Sequence, residues 1–250
     1  MSTVDAALAA AAATLRAVGI ADARRDARVL LGHALGIGRE TVLGYPGRVL
    51  SESDAALFAT LLDRRSRREP VSHIVGRREF WSLPFHVTGA VLDPRPDSET
   101  LVAAALDLLP DRSAPLRLLD LGTGSGCLLL ALLHELPAAN GLGVDISPAA
   151  LAVAEENATR LGLASRAAFQ LADWTAGVAG IFDLVVANPP YIAAGDMAVL
   201  APEVTLYEPH LALAGGADGL AAYRALSPQI GSVLRPGGRV VFGVGAGQDA

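Results

Sequence analysis

The sequence is short of cysteine, of positive charge and of long hydrophobic runs, and each shortage removes a class of protein. A single cysteine, Cys127, in 250 residues excludes an internal disulfide and a thiolate zinc site. It follows a glycine-rich turn and opens an apolar stretch, a setting that suits a small buried filler rather than a nucleophile. No stretch reaches the roughly 18 uncharged apolar residues of a membrane-crossing helix, so no membrane association is expected. The alanine-rich start carries Asp5 and Arg16 and lacks a basic segment ahead of an apolar one, which predicts a cytoplasmic protein without a signal peptide. A net charge of −6 argues against a dedicated nucleic-acid binder. What is plentiful is hydrophobic residues, 52% of the chain, enough for one large domain or two smaller ones.

From Ser2 to Gly19 apolar residues recur at helical spacing (Val4, Leu8, Ala11, Leu15, Val18), with Ser2 or Thr3 as cap and Gly19 as stop. Similar patterns predict a helix over Asp22 to Leu35, a short one over Arg39 to Leu43, and a fourth from the Ser51 to Asp54 cap through Leu57, Phe58, Leu61 and Leu62. These make a small helical bundle over residues 1–70. No His, Cys or carboxylate set within it has metal-ligand spacing, so no metal is expected and its role reads as substrate recognition rather than chemistry. Arg64, Arg65, Arg67, Arg68, Arg77 and Arg78 cluster where it ends. They read either as a solvated helix end favoured by the helix dipole or as a contact for an acidic or phosphate-bearing partner.

Beyond Glu69-Pro70 the pattern changes to alternation and β-branched residues. Arg78 to Trp81 and Phe85 to Val87 are predicted to form a hairpin joined through Ser82-Leu83-Pro84. An extended segment, Val91 to Thr100, is stiffened by Pro94 and Pro96 and enters a helix at Asp97 or Ser98. Residues 71–96 thus read as a connector.

Residues 97–250 carry the chemistry. A short strand, Leu116 to Leu119, runs into Asp120-Leu121-Gly122-Thr123-Gly124-Ser125-Gly126 and then an apolar helix from Cys127 to Leu136. The glycines allow a tight turn and close backbone approach to a ligand at the helix start, which alone also suits a nicotinamide cofactor bound through its pyrophosphate. Two acids shift the balance. Asp120 precedes the turn, where it can face the ammonium of an amino-acid cofactor; Asp145 ends the next strand, Gly141 to Val144, placed for ribose hydroxyls. This spacing resembles the S-adenosylmethionine (SAM) sites of Rossmann-like methyltransferases. After the helix from Pro148 to Leu161, a strand at Ala167 to Leu171 ends in Ala172-Asp173-Trp174, candidates for the edge and face of adenine.

The strand Ile181 to Ala187 delivers Asn188-Pro189-Pro190-Tyr191 to the same edge, as in a doubly wound α/β sheet with one ligand cleft. Both prolines lack an N–H, and each holds the residue before it extended. The result is a stiff rim of acceptors suited to a planar NH2 group: the Asn188 side-chain oxygen and the Pro189 carbonyl take its two hydrogens, and Tyr191 covers a face. Further on, Gly219 to Leu234 reads as a helix and Arg239 to Val244 as the fifth strand, while His210 reads as a loop residue without a special role.

Four blocks carry a resemblance: Pro70-Val71-Ser72-His73-Ile74-Val75-Gly76 with Val91-Leu92-Asp93-Pro94-Arg95-Pro96-Asp97-Ser98-Glu99; the glycine turn; Asn188 to Tyr191; and Glu208-Pro209 with Leu213 to Leu220. In order and spacing they resemble the release factor glutamine methyltransferase family (PrmC, also called HemK). The resemblance implies a Rossmann-like SAM-dependent methyltransferase domain, doubly wound and mostly parallel, behind a helical bundle and a β-hairpin connector. It implies SAM as cofactor, held by Asp120, Gly122, Thr123, Gly124, Ser125, Gly126, Asp145, Asp173, Trp174 and Asn188. It also implies peptide chain release factors as partners, methylated at N5 of the glutamine in their Gly-Gly-Gln motif. Asn188, Pro189 and Tyr191 are the expected catalytic residues, with Pro190 completing the substrate rim. A monomer is expected. Other NH2 groups, such as a ribosomal-protein glutamine or adenine N6, remain open, as does a non-catalytic SAM- or nucleotide-binding module. Three departures stand out: Gly243, where the family more often has an acid; His73, where an aromatic is common; and an ending after the fifth strand, which suggests truncation.

Overall fold

The computed structural model describes residues 2–245, 247 and 248, so the last residues of the expected 97–250 domain lie partly outside the described ones. Two compact units divide between Gly76 and Arg77.

The first unit is helical: α1 (Val4–Ala17), α2 (Ala23–Ala34), α3 (Arg39–Leu43), α4 (Glu52–Ser66) and α5 (Val71–Val75). The Thr3 hydroxyl caps α1 by accepting from the Ala6 N–H, and Ser51 caps α4 by accepting from the Asp54 N–H. The apolar faces meet around Leu15, Leu30, Leu31, Phe58 and Leu61, whereas Val18 and Leu57 are exposed. The extended reading of Val71 to Val75 is corrected. Pro70 pre-sets the chain for a helical turn, and Gly76, at φ +69°, ends it in the left-handed region.

The four arginines of α4 and its end each bond within this unit, although Arg67 stays exposed. Arg64 pairs with Glu69 and Arg67 with Asp63, while Arg68 donates to the Val18 and Gly19 carbonyls that follow α1. Arg65 is buried and bonded through Nε to Asp26 at 2.8 Å. Removing one partner of such a pair leaves an uncompensated buried charge, so Arg65→Ala is expected to destabilise the bundle by about 3 to 5 kcal/mol in urea unfolding.

The second unit opens with a hairpin, β1 (Arg77–Phe80) and β2 (Leu83–His86). Phe80 pairs with Leu83, so the loop is two residues, not the three expected. Trp81 and Ser82 both have positive φ, 52° and 59°, the handedness that matches strand twist in a two-residue loop. A tryptophan there is strained, and Glu99 and Glu135 hold it by accepting from its backbone and indole N–H groups.

Next come α6 (Glu99–Asp107), β3 (Arg117–Leu121), α7 (Cys127–Glu135), β4 (Asn140–Asp145), α8 (Pro148–Arg160), β5 (Ala167–Leu171), β6 (Phe182–Ala187), α9 (Pro202–Tyr207), α10 (Ala221–Ile230) and β7 (Leu234–Phe242). Five strands form one parallel sheet in the order β5-β4-β3-β6-β7. The apolar runs of β3 and β6 suit strands buried on both faces, and every β6 residue is buried. The chain steps outward from β3 to β5 and then restarts at β6 on the other side of β3. That reversal opens a crevice at the carboxyl ends, where ligands of such sheets bind. The last strand begins earlier than expected because Pro236-Gly237-Gly238 bulges within β7 instead of preceding it: Phe182 pairs with Leu234, and Leu184 already with Arg239. Among the described residues, no helix is long and apolar enough to cross a membrane.

Candidate active site

The glycine turn sits between β3 and α7. Gly122, Gly124 and Gly126 have φ of 74°, 55° and 79°, a left-handed series that a Cβ would strain. Gly126 also lets α7 and α8 close together: a Cβ there would stand 3.1 Å from the Leu130 side chain and 3.2 Å from that of Ala154. The Gly122 and Thr123 N–H groups both donate to the Val144 carbonyl at the end of β4. Asp145 accepts from the Gly124 N–H through Oδ2 and from the Ser147 N–H through Oδ1, each at 2.9 Å, so its carboxylate is fixed in place with lone pairs to spare.

Asp120 lies beneath the turn and is fully buried. Its Oδ2 accepts from the Thr123 hydroxyl at 2.7 Å, and its Oδ1 has no partner among the described residues. Burial pushes this carboxyl up to about 7, against the pull of the Thr123 hydroxyl. A raised acid binds its proton more tightly in the folded than in the unfolded chain. Its contribution to stability is therefore full at about pH 4 and lost as pH rises through about 7. Asp120→Asn removes that dependence. The cofactor-free variant is expected to melt several degrees above the parent at pH 8, with the gap narrowing toward pH 5, and to bind a cationic cofactor more weakly. A scanning calorimeter at the two pH values checks it.

A cavity of about 440 Å³ opens above the turn. Gly122, Thr123, Gly124, Ser125 and Asp145 form its floor, with Asp173 and Trp174 on one side and Asn188, Pro189 and Pro190 on another. Trp174 holds a left-handed φ of 53°, and its ring approaches Gly122. Strain of this kind at a strand's carboxyl end is common at ligand clamps. Gly126, Asp120 and His210 do not line it, His210 being exposed. Cys127 is on the wall, its thiol pushed up to about 12 by burial and therefore neutral. Among the described residues, no group of His, Cys, Asp and Glu could hold a metal.

The Asn188 rim has two supports that the sequence reading missed. Its Nδ2 donates to the Ser98 hydroxyl at 3.1 Å, which leaves Oδ1 as the free acceptor. Gly243, just past β7, packs against that Oδ1 so closely that a Cβ would overlap it. Gly243 is itself held, its N–H donating to the Ala187 carbonyl and its carbonyl accepting from the Tyr223 hydroxyl. Among the described residues no N–H donates to the Pro189 carbonyl. Tyr191 departs from expectation. It is not on the cavity wall, because the chain turns outward to pair Ile192 with Leu213 and Ala214, and its ring lies beside Gly245.

Part of the cavity wall joins two segments distant in sequence. Glu208, buried, accepts from the Arg95 guanidinium and from the Asp93 N–H, each at 3.0 Å. Burial pushes the Glu208 carboxyl up while Arg95 draws it back down. The pair fastens Pro94 and Arg95 to Pro209 and Leu211 around the cavity.

Sheet order, glycine turn and acid-lined cleft define the class: a SAM-dependent methyltransferase. The residues present fit that cofactor, since the carboxylates of Asp145 and Asp173 line the cavity and Asp145 ends the second strand of the sheet's first half. The sequence pattern described as the PrmC N-terminal domain matches residues 6–76, and a methyltransferase domain pattern matches residues 113–245. The release factor glutamine methyltransferase of Cereibacter sphaeroides is 51% identical over 249 residues, covering 99% of this chain and 87% of that one. Its counterpart in Rhodospirillum rubrum is 50% identical over 234 residues, covering 94% and 71%. Among solved structures, a ribosomal protein L11 methylase from Lactobacillus delbrueckii subsp. bulgaricus is 31% identical, with a TM-score of 0.42, covering 60% of this chain and 62% of that one. The chain belongs to the release factor glutamine methyltransferase family.

Proposed function

We propose that this enzyme methylates N5 of the glutamine in the Gly-Gly-Gln motif of peptide chain release factors, and that Asn188 and Pro189 present that amide to the donor. The observation that carries this reading is the Asn188 carboxamide, turned by Ser98 so that Oδ1 is free beside an unclaimed Pro189 carbonyl. SAM supplies a methyl group on a sulfonium, which leaves as a neutral thioether. An amide nitrogen is a poor nucleophile, and among the described residues no His, Glu or Tyr lines the cavity; its carboxylates are Asp145 and Asp173. The two acceptors hold both amide hydrogens and aim the nitrogen lone pair into the cleft. Positioning of this kind is worth roughly 7 to 11 kcal/mol in favourable cases. As positive charge develops on nitrogen, the same acceptors strengthen. The extra proton is lost after transfer, when the nitrogen has become strongly acidic.

In this reading residues 1–70 recognise the factor, 71–96 connect, and 97–250 perform the transfer. The enzyme works as a monomer in the cytoplasm, without direct contact to nucleic acid, in keeping with its net charge of −6. The test is transfer of radiolabelled methyl to purified release factor, to its Gly-Gly-Gln→Gly-Gly-Ala variant and to DNA. Label is expected on the unmodified factor alone; label on DNA but not on the factor would overturn the reading.

A further inference from the structure

Asn157 lies in the middle of α8, has no exposed surface and makes three hydrogen bonds from one carboxamide. Its Oδ1 accepts from the His86 N–H at 2.7 Å, and its Nδ2 donates to the His86 carbonyl at 3.0 Å. It therefore pairs with the last residue of β2 as a neighbouring strand would, using groups of His86 that point away from β1. The second Nδ2 hydrogen goes to the Ser125 carbonyl at 2.9 Å, inside the glycine turn. Ser125 lines the cavity, and no hairpin residue does. Both amide hydrogens are spent, one on the hairpin and one on the turn.

We propose that Asn157 is a positioning residue that locks the hairpin to the cofactor turn, so that the two order together. The inference rests on the reading of this cavity as the SAM site. Two segments that order together are linked reciprocally: ordering the turn with cofactor steadies the hairpin, and disturbing the hairpin weakens cofactor binding. Mid-helix asparagine has poor helix propensity, and a buried carboxamide is costly unless every group is satisfied. Here every donor is used, which suits a specific brace rather than a packing residue.

Hydrogen exchange of the unaltered full chain, with and without SAM, tests the coupling directly. SAM is expected to slow exchange in the peptide spanning Arg77 to His86 at least threefold, together with the glycine turn. A protected turn beside an unchanged hairpin would sink the proposal. Calorimetric titration with SAM provides the second arm. Asn157→Asp keeps the acceptor toward the His86 N–H but turns lone pairs on two carbonyls, so SAM affinity should fall at least tenfold. The exposed neighbour variant Glu155→Gln should bind as the parent does. Affinity within twofold of the parent in a folded Asn157→Asp protein would also overturn it. Neither arm uses a protein substrate, so failure of the release factor assignment would show separately in the labelling experiment.

Discussion

Asn188→Ala is expected to lower kcat at least about 10³-fold while SAM affinity stays within threefold of the parent. Loss of a single preorganised polar group aimed at developing charge costs about 10² to 10³ in rate, and here the same group also orients the nucleophile. Asn188 reaches the cavity from the end of β6, whereas the turn, Asp145 and Trp174, the residues proposed to hold the donor, reach it from β3, β4 and beyond β5. Truncating Asn188 therefore separates catalysis from cofactor binding. The measurement is single-turnover methyl transfer beside calorimetry. Near-normal turnover in this variant would rule out the acceptor mechanism.

A single methyl group at Gly243 should also slow transfer, though less. Its Cβ would overlap Asn188 Oδ1, so either the carboxamide swings off Ser98 or the end of β7 shifts. A misplacement of about 1 Å in a positioning group can cost 10²-fold in rate, which sets the expected fall in kcat for Gly243→Ala. Gly243 has no positive φ, so backbone strain does not enter. Gly231→Ala serves as the control, because a Cβ there meets nothing within 4 Å. A Gly243→Ala enzyme as fast as the Gly231→Ala control would show that Asn188 tolerates displacement.

What the sequence made visible was local in the chain. The capped amphipathic runs of α1 and α4, the alternating glycines after Asp120, the acid ending β4 and the stiff Asn188-Pro189-Pro190 corner each carry their signature within a few residues, because caps, turns and prolines act on their neighbours. What stayed hidden depends on contacts between distant residues. Ser98 meets Asn188 across 90 positions, Glu208 meets Arg95 across 113, and Asn157 meets His86 across 71. In isolation Ser98 reads as a helix start and Asn157 as a solvated helix residue. Gly243 stood out only as a residue unlike its relatives, since the sequence gives no hint of the side chain pressing on it. The arginines at the end of α4 show the opposite failure: a basic cluster by spacing turns out to be spoken for, one guanidinium by Asp26 and another by the carbonyls after α1.

The bulge in β7 bears on how the strands beside β6 are tied together. Between Phe182 and Leu184 of β6 the partner jumps from Leu234 to Arg239, so residues 235–238 of β7 lie outside the regular ladder. Within the bulge, Pro236 contributes no N–H, the two glycines break the regular repeat, and Arg235 and Arg239 bring charge, Arg235 reaching back to Asp183 at 2.7 Å. From Arg239 to Phe242 the pairing with β6 is regular again. Asp183 therefore clamps both neighbours of β6, accepting from the Arg117 N–H on β3 and pairing with Arg235 on β7, so one carboxylate ties three strands where the ladder is irregular.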